Sequence, residues 1–179
     1  MSEITHYVAS MGAGVMHSRS IEFAKKFGVP IHVRNSAADI QGTMIVAEPE
    51  APSVAVSGAT LVKNEARVTL LGVPDTPGTS LTLFAKIAAK NVSVDMIVQN
   101  VGADSKADIS FTVLRDDLKT TLAAVKEAAA ELGAEGYTHD EHVAKVSVVG
   151  LGMAEQTGVA QKMFRALAEA DVNILMITT

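Results

Sequence analysis

The chain has 179 residues, 48% of them apolar, and a formal net charge of −5. It contains no cysteine, which excludes disulfides, thiolate chemistry and zinc–thiolate centres together. The charges are dispersed and slightly acidic, which argues against a nucleic-acid surface, and no apolar run approaches the roughly 18 residues of a membrane helix.

With two Tyr, five Phe and no Trp, any core must be built from Val, Ile, Leu, Ala and Met. Met1 to His6 lacks the basic and apolar regions of a signal peptide. The composition points to a soluble, cytoplasmic chain.

Ile4 to Lys26 is mostly helical in pattern but broken by Gly12 and Gly14, with Ser20 as a cap and a stop at Phe27-Gly28-Val29-Pro30. Pro30 to Arg34 and Gly42 to Val46 read as short strands. One helix and two strands cannot bury both their faces, so residues 1–50 are expected to belong to something larger. Glu48 to Ser53, with two prolines, reads as a linker, and Val54 to Val62 as a strand.

The organising stretch follows. Val68 to Val73 has the length and β-branched content of a short buried strand, stopped by Pro74, Pro77 and Gly78. Thr79 and Ser80 open a helix whose apolar positions are Leu83, Phe84, Ile87 and Ala88. Val92 to Val98 is strand-like again and ends in Gln99-Asn100. Ala107 to Val113 is a further strand, Leu118 to Leu132 an Ala-rich helix closed by Gly133, and Gly136 to His139 a last edge strand. The order βαββαβ predicts an α+β, ferredoxin-like domain: an antiparallel four-stranded sheet with both helices on one face.

The unit then starts again. Ala66-Arg67-Val68-Thr69 matches Ala144-Lys145-Val146-Ser147, and Gly72 matches Gly150, each pair 78 apart. Beyond the loop Gly78 meets Gly158, Phe84 meets Phe164, Ala88 meets Ala168 and Met96 meets Met176, each pair 80 apart. Preserved order with one two-residue insertion is a repeat. The second copy runs only through its second strand, so the sequence as given is expected to end inside a domain.

At this point the chain resembles the regulatory end of an aspartate kinase with tandem ACT domains. Gly12 to Ala24, Val29 to Ser36 and Gly42-Thr43 resemble the last helix and strand of that family's kinase domain. Asp75-Thr76-Pro77-Gly78, Val94-Asp95-Met96 and Gln99-Asn100 resemble its first ACT domain. Val146 to Met153 and Asn173-Ile174 resemble the second. The implied organisation is a kinase-domain tail with linker over residues 1–50, a first ACT domain with its preceding strand over 51–140, and an incomplete second ACT domain over 141–179.

The family phosphorylates the side-chain carboxylate of aspartate, on the route to lysine, threonine and methionine, and its ACT pair senses end-product amino acids. Its Lys-Phe-Gly-Gly-Thr-Ser nucleotide motif and its aspartate-binding region have no counterpart here, so this chain is expected to be inactive alone. Some members make a shorter regulatory polypeptide from an internal start. The chain resembles such a product or an engineered fragment.

From spacing alone Asp75 to Gly78 reads as an ordinary β-to-α turn, although a helix N-terminus is also a seat for a carboxylate or phosphate. The resemblance implies the second use. Asp75 would take the ammonium of an effector amino acid, and the backbone N–H groups from Gly78 through Thr79 to Ser80 its carboxylate. Thr76, Pro77, Ser93 and Val94 would complete the site. Period-two spacing places Asp95 and Gln99 on one strand face, with Gln99 bonding a threonine hydroxyl or a main-chain group; otherwise Asp95 is a solvated strand-end charge. In the second copy an acid is missing at the matching position, and Val159-Ala160 stands where the family has Val-Thr. Asn173, Ile174, Thr178 and Thr179 still match its second strand.

No catalytic residue, metal ligand set or cofactor motif is found. The five histidines (His6, His17, His32, His139, His142) lack ligand spacing and read as surface residues, Met96, Met153, Met163 and Met176 as core, and no hydroxyl has a His/Asp partner pattern. The expected partners are threonine and/or lysine, a second copy joined through ACT domains, and a catalytic aspartate kinase chain. The alternatives are an active kinase, which the missing nucleotide motif opposes, and an ACT assembly module that dimerises and stabilises the catalytic chain without sensing anything.

Overall fold

The computed structural model describes residues 16–46, 56, 58–102, 104–150, 153 and 157–179. Several expectations fall outside this set: the helical pattern before Met16, the linker Glu48 to Ser53, and Glu155-Gln156 of the second loop. The chain divides into two compact units, each assembled from two separated stretches. One comprises Met1–Val62 with Val146–Asn173, and the other Lys63–Lys145 with Ile174–Thr179.

In the first unit, α1 (Ser18–Phe27) is capped by His17, whose ring accepts the Arg19 N–H at 3.3 Å. Strands β1 (Ile31–Val33) and β2 (Thr43–Ile45) pair antiparallel, with Ile31 opposite Ile45. Only Ile21 of residues 16–46 joins the buried core residues, while Phe23, Phe27, Val29 and Met44 are exposed. The second-copy helix spans Val159–Glu169.

A four-stranded sheet of order β4-β5-β3-β6 comprises β3 (Gly58–Pro74), β4 (Val94–Val101), β5 (Lys106–Leu114) and β6 (Gly136–Val149), with β3 from Lys63 and β6 to Lys145 in the second unit. Helices α2 (Thr79–Ala88) and α3 (Leu118–Leu132) cover one face. Alternation fixes the faces. Along β3, Ala66, Val68 and Leu70 are buried in the core; along β5, Ala107, Ile109, Phe111 and Val113 join them. Leu83 and Ile87 of α2 and Ala124, Val125 and Ala128 of α3 close the layer. Phe84 meets Phe111 edge to face at 5.5 Å, an arrangement the ring quadrupoles favour. The expected α+β, ferredoxin-like ACT architecture is observed.

Three details differ from the sequence reading. The strand preceding the loop is not short: β3 runs unbroken for 17 residues, merging the described part of Val54–Val62 with Val68–Val73. The polar stretch Lys63-Asn64-Glu65 resembles a turn but is carried as extended backbone, because β5 pairs with it from Glu65 onward. The last edge strand likewise does not stop at His139 but continues to Val149. Finally, Ile174 to Thr178 forms no strand. In the first copy that position is held by β4, which pairs with the hairpin partner β5; among the described residues no strand pairs with Ile174 to Thr178, and a strand exists only through its ladder.

Candidate functional site

The Asp75 loop is fixed from both sides. Between Leu70 and Val73 the pairing of β3 with β5 shifts register, and Gly72 sits there at φ +61°. The Gly72 N–H, turned out of the ladder, donates to Asp108 Oδ1 at 2.8 Å. Leu71 O accepts the Glu135 N–H at 2.9 Å, and Glu135 pairs with Lys106 at 2.5 Å. That bond to Glu135 raises the Lys106 pKa above the ordinary lysine value. Two residues beyond the bulge, the Asp75 N–H donates to Ser105 O at 2.9 Å. Thr79, buried at the helix start, ties the other end by donating its hydroxyl to Pro74 O at 2.8 Å.

Gly78 is the N-cap of α2 at φ +100° and supplies no side-chain cap. The Thr79 N–H is taken by Thr76 O at 3.3 Å, and no side chain caps the remaining first-turn N–H groups, the kind of donors that can receive an anion. Over this helix end three side chains converge. Ser80 donates its hydroxyl to Gln99 Oε1 at 3.1 Å, and Gln99 donates its amide to Asp75 Oδ1 at 3.2 Å. Asp75 and Gln99 are both exposed and Ser80 is half-buried. A carboxylate thus stands beside the start of a helix, an acceptor next to N–H donors.

The remaining predicted residues are distributed as follows. Thr76 is exposed, with its hydroxyl 3.4 Å from that of Thr79, and Pro77 forms the exposed turn. Ser93 is exposed and Val94 packs against the core. Asp95 does not share a face with Gln99. The pairing of β4 with β5 slips by one residue between Val94 and Ile97, so Val94 and Ile97 lie opposite Val113 and Phe111 on the helix-covered side. A one-residue bulge inverts the alternation. Gln99, opposite Ile109, stays on that side. Asp95 turns to the helix-free face, where it pairs with Lys145.

The second-copy residues form no comparable constellation among the described residues. Gly158 caps its helix at φ +87° without a side-chain bond, as Gly78 does. Val159, Ala160 and Asn173 belong to the first unit; Ile174, Thr178 and Thr179 belong to the second and are exposed.

Sequence reasoning missed Ser105 as the anchor of the loop, and Glu65, Thr112 and Lys145 on the helix-free face. Glu65 is 3% exposed and its Oε2 has no partner. Burial pushes its pKa up; a hydrogen bond from Thr112 and the nearby Lys145 charge oppose that shift, and Asp95 adds to it. In β3 polar Lys63, Glu65, Arg67 and Thr69 alternate with apolar Ala66, Val68 and Leu70, a pattern that reads as a solvated polar face. It gave no sign that this face is covered at that point.

No group of three or more metal-ligating side chains occurs among the described residues, and no described helix is long and apolar enough to cross a membrane.

These features define an ACT-type fold, and comparison with known proteins agrees. The profile of the ACT domain matches residues 68–129 and 146–179. The aspartokinase of Pseudomonas aeruginosa is 44% identical over 175 residues, covering 96% of this chain and 42% of that protein. The ligand-free regulatory subunit of aspartate kinase from Thermus thermophilus superposes with a TM-score of 0.65 at 39% identity, covering 70% of this chain and 83% of that one. A structure of aspartokinase alpha and beta subunits gives 0.63 at 46% identity, covering 69% and 81%. The chain therefore belongs to the ACT-domain family and, within it, to the regulatory region of the aspartokinases. It spans 42% of the length of the Pseudomonas relative.

Proposed function

We propose that this chain is the effector-sensing part of an aspartate kinase, and that its first ACT domain binds an end-product amino acid at the Asp75 loop. The observation that carries the reading is the convergence of Asp75, Gln99 and Ser80 over the uncapped start of α2. Asp75 takes the ammonium, the first-turn amides take the carboxylate, and Gln99, already bonded to both neighbours, turns to meet the ligand. Threonine and lysine are the effectors to test, since both are products of the reaction sequence that aspartate phosphorylation opens. The second loop, with Val159, Ala160, Asn173, Ile174, Thr178 and Thr179, is a further, weaker site for the same class of ligand.

An effector shifts an equilibrium only by its differential affinity for two states. Feedback inhibition therefore requires a catalytic partner chain whose active state is disfavoured when the loop is filled. The similarity to a protein solved as alpha and beta subunits supports such an arrangement. Exposed Ile97 and Val101 on edge strand β4 suit pairing with a second copy. Titration of the full chain with threonine and with lysine tests the reading: saturable binding of either supports sensing, and binding of neither leaves an assembly module.

A further inference from the structure

The helix-free face of the sheet holds an arrangement that the effector loop does not use. Strands β4 and β6 are its two edges, with β5 and β3 between them. Lys145 on β6 extends across both central strands and pairs with Asp95 on β4. Only 14% of the Lys145 side chain is exposed. Within range of the Lys145 charge is Glu65 on β3, buried, with one carboxylate oxygen lacking any partner. Thr112 on β5 accepts the Met96 N–H at 3.2 Å, the amide that the β4 bulge has removed from the ladder, and bonds the Glu65 carboxyl as well.

We propose that Lys145, Asp95 and Glu65 form a proton-controlled clasp in which Lys145 has two alternative partners. With Glu65 neutral, Lys145 holds Asp95 and ties the two edge strands together. With Glu65 ionised, its free oxygen becomes the stronger claim on the ammonium, and β4 is released. The charges acting on Glu65 are Lys145 from β6 and Asp95 from β4; along β3 Lys63 and Arg67 share its face by alternation, and β5 contributes the neutral Thr112. Two carboxylates therefore compete for one lysine where an unpaired buried charge is costly, so the proton on Glu65 decides the pairing. Burial raises the Glu65 pKa, which brings the change toward neutral pH.

The clasp stands on its own contacts and does not depend on the loop binding anything. It is tested on the full chain by NMR, following the Glu65 and Asp95 carboxyl carbons and the Lys145 Nζ from about pH 4 to about pH 9. The Asp95 and Lys145 signals should each step at the inflection of Glu65, and Glu65→Gln should abolish both steps. Glu65 titrating with neither signal moving, the steps surviving in Glu65→Gln, or no Glu65 inflection in that range would overturn the clasp. Threonine titration of the same samples reports separately on the effector loop.

Discussion

Asp95 and Gln99 lie four residues apart on β4 yet serve opposite faces of the sheet, Asp95 bonded to Lys145 and Gln99 to Asp75. One inserted residue between Val94 and Ile97 causes this. The strand thereby links two polar clusters that are separated by the thickness of the sheet, the Asp75 loop on one side and the Lys145–Asp95 pair on the other.

The bulge depends on Thr112, whose hydroxyl satisfies the Met96 amide. Thr112→Val keeps the shape and removes the hydroxyl, leaving a buried amide and a buried carboxyl each short of a partner. A loss of about 1–3 kcal/mol in denaturant unfolding is expected. A change within a few tenths would show that water replaces the hydroxyl.

Glu65 gives a pH signature of known sign. Its folded pKa lies above the ordinary glutamate value of about 4.3, so in the interval between them the folded state holds the extra proton. Stability therefore falls as pH rises through that interval and is flat above it. Thermal melts of Glu65→Gln should lose this segment of the pH dependence, and an unchanged profile would assign it to other groups.

Gly72→Ala forces an L residue into the left-handed region, and its methyl would meet the Glu135 side chain at about 2.5 Å. The backbone cost alone is about 1–2 kcal/mol. Glu135 can swing aside, at the loss of its bond to Lys106, so Glu135→Ala should rescue little of the stability in the double variant. Full rescue would mean that side-chain crowding, not φ, is what requires glycine.

Catalysis offers a negative test. Phosphoryl transfer needs phosphate and Mg²⁺ ligands placed around the reacting oxygen, and the sequence carries no nucleotide motif. The purified chain should form no aspartyl phosphate from ATP above background, and turnover that copurifies with it through several steps would contradict this.

Much of the fold was legible because local signals and the repeat agreed. The alternation along Ala66–Leu70 and Ala107–Val113 gave the core face, and α3 begins and ends where Leu118 and Gly133 placed it. The loop could be located from Pro74, Pro77 and Gly78, but its geometry could not, since Ser105 and Asp108 reach it from β5 and its preceding turn. The bulges at Gly72 and at Asp95-Met96 were invisible for a related reason. A register slip is set by what the partner strand offers, here the Thr112 hydroxyl and the Asp108 carboxylate, and period-two reasoning assumes none. The length of β3 was missed because Lys63-Asn64-Glu65 is polar, and tertiary pairing overrides that local preference.

The central claim is that Asp75 holds the ammonium of a bound amino acid. Calorimetric titration of threonine into the parent, Asp75→Ala and Lys119→Ala (an exposed change on α3), with melting curves alongside, addresses it directly. A charge-assisted hydrogen bond is worth about 1.5–3 kcal/mol, so Asp75→Ala should weaken threonine binding roughly ten- to a hundred-fold with little change in melting. Lys119→Ala should bind as the parent does. If Asp75→Ala binds threonine as tightly as the parent, the loop is only a turn and the sensing site lies elsewhere.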